Sequence, residues 1–438
     1  MINEGIFLYD ITKGDKVYFG DITFAGNTKT RDNVLRRELK IAASELYSGT
    51  RLRKSKGNIQ RLGYFEEVQA IRSRDKRNSS ILNYEVRVKE KPTGQLQAAV
   101  GFSPNSNTSE SQFFGQGRYS EDNQSGYGWR ANVTARWNTG KNYDFNLGWT
   151  NPRVNDSLWS LGLNGFLRSQ VRNFTAGVDV QERRRGASIS VGRRVYEMIN
   201  LSVALKSSAI EQTTDGFILD TFKEEGRENS VIFSLSRNAT NNFLDPSDGS
   251  KIRFSQQISG GVLGGTRQYM ETIVDGAYFH PIDFQETYRT YFRFHGRFGF
   301  LWPYENANIP LFSRYLLGGA EDMRGWRFNE IGPTFNIMQS PNDRTRDIDK
   351  GGNKEFLFQA EYFVPIIPEA NIKALVFYDV GNVFLEEDPM TFKDPYQDIG
   401  FGFRWITPVA PFRFEWAWQL ASDGTLSEKP NFIFYLGY

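Results

Sequence analysis

Cysteine is absent from the 438-residue chain, and histidine occurs only as His280 and His295. The first absence excludes a disulfide scaffold, thiolate catalysis and cysteine-ligated zinc or iron–sulfur sites, and two separated histidines leave little for a metal cluster. Long apolar runs are missing as well. The mean hydropathy is -0.52, and no stretch approaches the roughly 20 consecutive apolar residues of a membrane-spanning helix. Neither sign of charge dominates: 53 basic residues against 51 acidic ones give a net charge of +2, which argues against a nucleic-acid partner. The start, Met1-Ile2-Asn3-Glu4-Gly5, has neither the basic opening nor the apolar core of a targeting segment.

What the chain does have is 15% aromatic residues and 41 glycines at a hydrophobic fraction of only 39%. That mixture suits a β-barrel whose apolar residues alternate with polar ones. Two regimes meet near Lys91-Pro92. Residues 14–91 read as a small α/β unit. Val17 to Phe24 alternates as a strand and ends in the turn Gly26-Asn27. Thr28 or Thr30 is expected to cap a helix running through Leu39, with Val34, Leu35 and Leu39 on one face. A second helix is expected from about Thr50 to Leu62, stopped by Gly63, with strands at Val68–Arg72 and Ile81–Val88 after it. The basic residues on these helices, among them Lys29, Arg36, Arg37 and Arg51, read first as a solvated surface and second as a docking face.

From about Gln95 onward the alternation is strict. Trp129, Ala131, Val133, Ala135 and Trp137 share one face, against Arg130, Asn132, Thr134 and Arg136. Phe412, Phe414, Trp416, Trp418 and Leu420 likewise oppose Arg413, Glu415, Ala417 and Gln419. Side chains of a strand alternate between faces, so one face of this sheet is apolar and the other charged. With no helical layer to cover it, the arrangement that satisfies both faces is a closed cylinder with lipid outside and water inside. The expected fold is therefore a transmembrane antiparallel β-barrel of about sixteen strands over residues 92–438, preceded by the small α/β domain. Segment 170–184 is read as an overlong fifth strand and its return. Proline-bearing pieces (Asn151-Pro152, Asp245-Pro246, Pro281-Ile282, Val364-Pro365, Thr407-Pro408) are read as short turns at one rim. The longest connection, 302–354, falls at the other rim, and a loop of about fifty residues is expected to carry function.

The order β-α-α-β-β of residues 14–91, with GNTKTRDNVLRREL and LGYFEEV at its helices, resembles a POTRA domain. Residues 1–13 hold IFLYDITK, which looks like the closing strand of a preceding POTRA domain. The expectation is a mature or trimmed sequence whose natural protein carries further such domains upstream. In the long loop, Leu317-Gly318-Gly319-Ala320-Glu321-Asp322-Met323-Arg324-Gly325-Trp326 is similar to the sixth extracellular loop of the BamA family of outer-membrane assembly factors. Trp326 stands where that family usually has Phe or Tyr. LDPSDGSKI (244–252), AEYFVPI (360–366), VFYDVGNVF (376–384) and ITPVAPFRFEWA (406–417) match in the same order.

The resemblance implies that the loop folds into the lumen and that Arg324, Gly325 and Trp326 form its tip. The arginine would pair with carboxylates on the wall, and strand parity turns Glu361 and Asp379 inward on neighbouring strands. It also implies a lateral gate between the first strand (Leu96, Ala98, Val100 and Phe102 outward) and the last (Phe434, Leu436, Gly437, Tyr438), since glycine weakens a strand end and an exposed edge templates incoming strands. The aromatic-ended C-terminus resembles the signal that such machines recognise in clients. The implied function is folding and inserting barrel proteins into the bacterial outer membrane, with the POTRA domain in the periplasm. The implied partners are unfolded outer-membrane protein clients, BamD-like accessory lipoproteins and the lipid bilayer. Two-partner-secretion and TamA-like polypeptide translocators share the plan and stand as the alternative, although nothing in the sequence reads as the plug helix of the former. No catalytic constellation, cofactor or metal site is expected.

Overall fold

The computed structural model describes residues 15–103, 112–138, 142–174, 178–196, 198–215, 225–242, 245–285, 288–304, 307, 309–337, 346–349, 351–407 and 411–436. The chain forms two compact units, one reaching Gln95 and taking in Ser120–Ala131, the other made of the remaining residues. The piece read as a preceding POTRA strand, 1–13, lies outside the described residues.

The N-terminal unit contains β1 (Tyr18–Ala25), α1 (Asp32–Arg36), α2 (Gly49–Arg61), β2 (Phe65–Arg74) and β3 (Ile81–Glu90). The sheet order is β1-β3-β2, with β1 parallel and β2 antiparallel to the central β3. Val34, Leu35, Ile59, Tyr64, Val68 and Val86 are among the residues that close its core between helices and sheet. Ser48 caps α2 by accepting from Arg51 N at 3.3 Å, and Gly63 leaves the helix at φ +76°, where a side chain would be strained.

The first helix is shorter than its sequence suggests. It ends at Arg36, and Arg31 stands at its N-cap without a side-chain cap. The threonines expected to cap it are engaged elsewhere. Thr28 Oγ1 donates to Glu90 Oε2 at 2.8 Å, and the backbone N–H groups of Thr28, Lys29 and Thr30 donate to the same carboxylate at 3.1, 2.9 and 2.6 Å. Burial by itself would raise the pKa of Glu90, but these donors outweigh it and hold it down to about 2.

The second unit is a sixteen-stranded antiparallel sheet. Its first half is β4 (Gly94–Ser103), β5 (Gln112–Gln124), β6 (Trp129–Asn138), β7 (Tyr143–Asn151), β8 (Trp159–Phe174), β9 (Val178–Tyr196), β10 (Ile199–Asp215) and β11 (Gly226–Asn238). There follow β12 (Gly249–Ser259), β13 (Tyr269–Gln285) and β14 (Tyr288–Pro303). The long connection then holds a small hairpin, β15 (Thr334–Ile337) and β16 (Arg346–Asp349). The wall resumes with β17 (Lys354–Ile367), β18 (Ile372–Phe384), β19 (Tyr396–Ile406), β20 (Pro411–Leu420) and β21 (Asn431–Leu436). Hydrogen-bonded order follows chain order, from β4 at one end to β21 at the other, with β14 paired directly to β17. The stretch 170–184 does divide between an overlong strand, β8, and its return, β9.

Alternation places Val133, Trp137, Leu147, Val376, Phe401 and Phe434 on the exposed outer face, and Glu361, Asp379 and Glu415 on the buried inner one. Two prolines read as turn markers prove to lie inside strands: Pro281 is paired with Tyr291 and Pro365 with Lys373. Each strand runs a few residues past its proline, because an antiparallel ladder near its end tolerates the loss of one donor. Pro408 lies outside the described residues. The rim at which β4 begins and β21 ends is called the entry rim below; the connection 304–353 springs from the opposite, far rim.

Candidate functional site

The long connection begins by pairing with itself. Leu317 and Ile331 exchange two backbone hydrogen bonds of 2.9 Å, and their side chains join Met323, Leu357 and Val383 in an apolar cluster. Gly318 and Gly319 turn the chain at φ +119° and +104°, and Gly318 packs so closely that a Cβ would lie 2.1 Å from the carbonyl of Arg327. The N–H groups of Asp322 and Trp326 close tight turns onto the carbonyls of Gly319 and Met323. This small apolar knot fixes the tip and aims Arg324 at the wall.

Arg324 is 1% exposed. Its Nε and Nη2 donate to the two oxygens of Asp379 on β18 at 2.7 and 2.6 Å, a fork-to-carboxylate pair. Nη1 donates to Glu361 on β17 at 2.8 Å and to Glu415 on β20 at 3.4 Å. The guanidinium lies 3.5 Å over the ring of Phe377, which seals one of its faces. Gly325 leaves room for Asp398 of β19: a Cβ there would sit 2.6 Å from that of Asp398. Trp326 meets Tyr396 edge to face at 4.9 Å. The structure thus brings Arg324, Gly325, Trp326, Glu361 and Asp379 into one cluster.

Several members of that cluster are not singled out by sequence reasoning. Arg293 of β14 and Arg404 of β19 also hold Glu361, the latter at 2.6 Å. Arg413 of β20 holds Glu415 at 2.9 Å and donates to the carbonyl of Ala320 at 2.9 Å. Arg297 of β14 joins Glu355 to Asp322, each at 2.9 Å. Finally, β21 itself grips the tip: Asn431 Nδ2 donates to the carbonyl of Arg324 at 2.8 Å, and Tyr435 Oη to Glu321 at 2.8 Å. Inward parity was the one available signal for all of these, and it is common to every lumen charge. Which of them converge depends on barrel register and on the fold of the loop.

A second inward-facing ionic group lies on another arc of the wall. Arg267, from the β12–β13 connection, donates to Glu182 of β9 at 2.7 Å, and Gln212 of β10 donates to the same oxygen at 2.7 Å. Lys206 and Tyr269 each reach Glu228 at 3.0 Å. It pins a second far-rim connection to the wall.

The other predicted residues belong to the two ends of the sheet. Leu96 and Ala98 are exposed on β4, and Phe434 is exposed on β21. Val100 and Leu436 lie on the same strands, while Gly437 and Tyr438 fall outside the described residues. Of the two histidines, His295 sits between Asp275 and Gln359 at 2.8 and 2.9 Å, and among the described residues no group of three or more metal-ligating side chains gathers.

Comparison with known proteins matches residues 123–438 to the family model described as Omp85 superfamily domain, and residues 17–89 to the POTRA model described as surface antigen variable number repeat. Among curated proteins, the outer membrane protein assembly factor BamA of Nitratidesulfovibrio vulgaris is 26% identical over 417 residues, 94% of this chain and 50% of that protein. BamA of Neisseria meningitidis serogroup B is 25% identical over 488 residues, 98% of this chain and 58% of its own. The chain therefore spans about half the length of the curated relatives it matches. Among solved structures, BamA from Haemophilus ducreyi lacking POTRA domains 1-3 superposes with a TM-score of 0.73 at 19% identity, covering 97% of this chain and 84% of that one. CdiB from Acinetobacter baumannii gives 0.65 at 12% identity, covering 95% of this chain and 72% of that one.

Proposed function

From the premise that the chain belongs to the Omp85 superfamily, we propose that it folds and inserts β-barrel proteins into a bacterial outer membrane. Its N-terminal unit faces the periplasm, where it meets unfolded clients and accessory lipoproteins of the BamD kind. The lateral gate lies between β4 and β21. An incoming client strand hydrogen-bonds to the freed edge of β4, further strands add to it, and the finished barrel leaves sideways into the bilayer. No covalent bond changes in this cycle. The free energy comes from strand pairing and from transfer of the client's apolar face into lipid.

The observation that carries the reading is the buried tip. Arg324 reaches carboxylates on β17, β18 and β20, while its own carbonyl is held by β21. A plug tied to the last strand supports a gate built at that strand. The likeness to curated assembly factors over most of the chain supports the same reading.

A second reading, export of an unfolded polypeptide as in two-partner secretion, is favoured by the fold shared with CdiB. Depleting the protein from its host and counting folded outer-membrane barrels separates the two. Assembly predicts a broad fall in folded barrels; export predicts that folded barrels persist while one secreted protein disappears.

A further inference from the structure

The outer wall carries a feature that neither the plug nor the gate uses. On β9, Ile189, Val191 and Arg193 face outward, and the partners of Arg193 across the sheet are Trp159 of β8 and Leu201 of β10. The guanidinium of Arg193 stands 5.1 Å from the Trp159 ring centroid. Arg237 of β11 pairs with Ile199 and Ile252 and so shares the same face. Both arginines are exposed and close to the entry rim, on strands roughly 10 Å apart. Arg237 donates one hydrogen bond, to Ser250 Oγ at 2.7 Å. Among the described residues no carboxylate is paired with either arginine.

The opposite rim of the same arc is built differently. Outward-facing Arg185 sits about 27 Å along β9 from Arg193, a length suited to the apolar band of a barrel. It is paired with Glu211 at 3.0 Å. Arg185 is thus matched by a carboxylate, whereas among the described residues Arg193 and Arg237 are not. From Arg193 an apolar groove of about 820 Å³ runs toward the middle of the band, lined by Trp159, Val191, Leu201, Val203, Phe233 and Leu235.

We propose that Arg193 and Arg237 bind the phosphate of an anionic diacyl phospholipid whose acyl chain lies in the groove beside Trp159. A phosphodiester has two free oxygens, and two planar forks at this spacing offer each of them a charge-assisted donor. The indole holds Arg193 at headgroup depth, where such rings are favoured, and the branched and aromatic side chains below receive the chain. The occupant is a bilayer lipid and not a soluble anion because the cations stand directly above an apolar groove. The inference rests on the membrane-barrel reading of the molecule.

The test uses the full chain, refolded into phosphatidylcholine vesicles and checked by heat-modifiable migration, then released into detergent for native mass spectrometry with added lipid. Phosphatidylglycerol is expected to be retained about tenfold over phosphatidylcholine. R193Q/R237Q should abolish that preference and still fold, and R185Q at the far rim should keep it. Equal retention of the two lipids by the parent chain, or an undiminished preference in R193Q/R237Q, overturns the site while leaving the barrel intact. Failure of the parent chain to insert into vesicles at all overturns the membrane reading and the site together.

Discussion

Among the described residues Asp379 has a single cationic partner, Arg324. Glu361 and Glu415 differ in this respect, because Arg293, Arg404 and Arg413 also serve them. Arg324→Ala therefore strands one fully buried carboxylate, and losing one member of such a pair costs about 3–5 kcal/mol. The expected outcome is loss of the compact, heat-modifiable form at lower temperature than the parent, with impaired support of growth. Unchanged migration and unchanged assembly would dismiss the lock. Gly325→Ala probes the same contact by crowding. Its Cβ would fall 2.6 Å from that of Asp398, so the tip must shift, at about 1–3 kcal/mol, and the same gel assay should show a smaller change in the same direction. Glu90 supplies a pH test in the other unit. Its folded value, about 2, lies below the ordinary 4.5, so its contribution is fully present above 4.5 and disappears as the pH falls toward 2. Protection of the amides of residues 28–30, measured relative to their intrinsic exchange rate, should fall over that window in the parent chain, and Glu90→Gln should show low protection throughout it. Inward placement of Glu361 and Asp379 was readable from parity alone. The company they keep was not, because Arg404, Arg413 and Asn431 look like any other lumen residue until register brings them together.

At the scale of elements, the sixteen strands of the wall were legible because a period of two is hard to mistake over ten residues with tryptophan and phenylalanine on one side. Their ends were less so. Proline signalled turns at Pro281 and Pro365, yet β13 and β17 continue past both. The first helix failed for a different reason: Thr28 and Thr30 prefer the carboxylate of Glu90, a partner some sixty residues away that no local rule anticipates. Strand β21, six residues long, pairs with β20 from Leu436 to Asn431. The proposed gate lies at its other edge, toward β4, where a free strand edge can template an incoming strand. A disulfide joining cysteines introduced into β4 and β21 is expected to abolish client assembly when oxidised and restore it on reduction. Full activity in the oxidised form would remove the gate from the mechanism.

For the whole molecule, the apolar exterior and the ionic interior are two products of one alternation. The exterior asks for lipid, while the interior holds the tip of the long connection as a plug whose charges are matched to the wall. The tip touches β17, β18 and β20 through Arg324 and β21 through Asn431 and Tyr435. Most of these holds are on interior staves, which cannot move without breaking the cylinder. The two on β21 are on a terminal stave. If that stave swings aside as proposed, it must either drag the plug with it or let go of it, so an event at the flank of the cylinder would be felt at its centre, and a side door of this design would come with its own bolt.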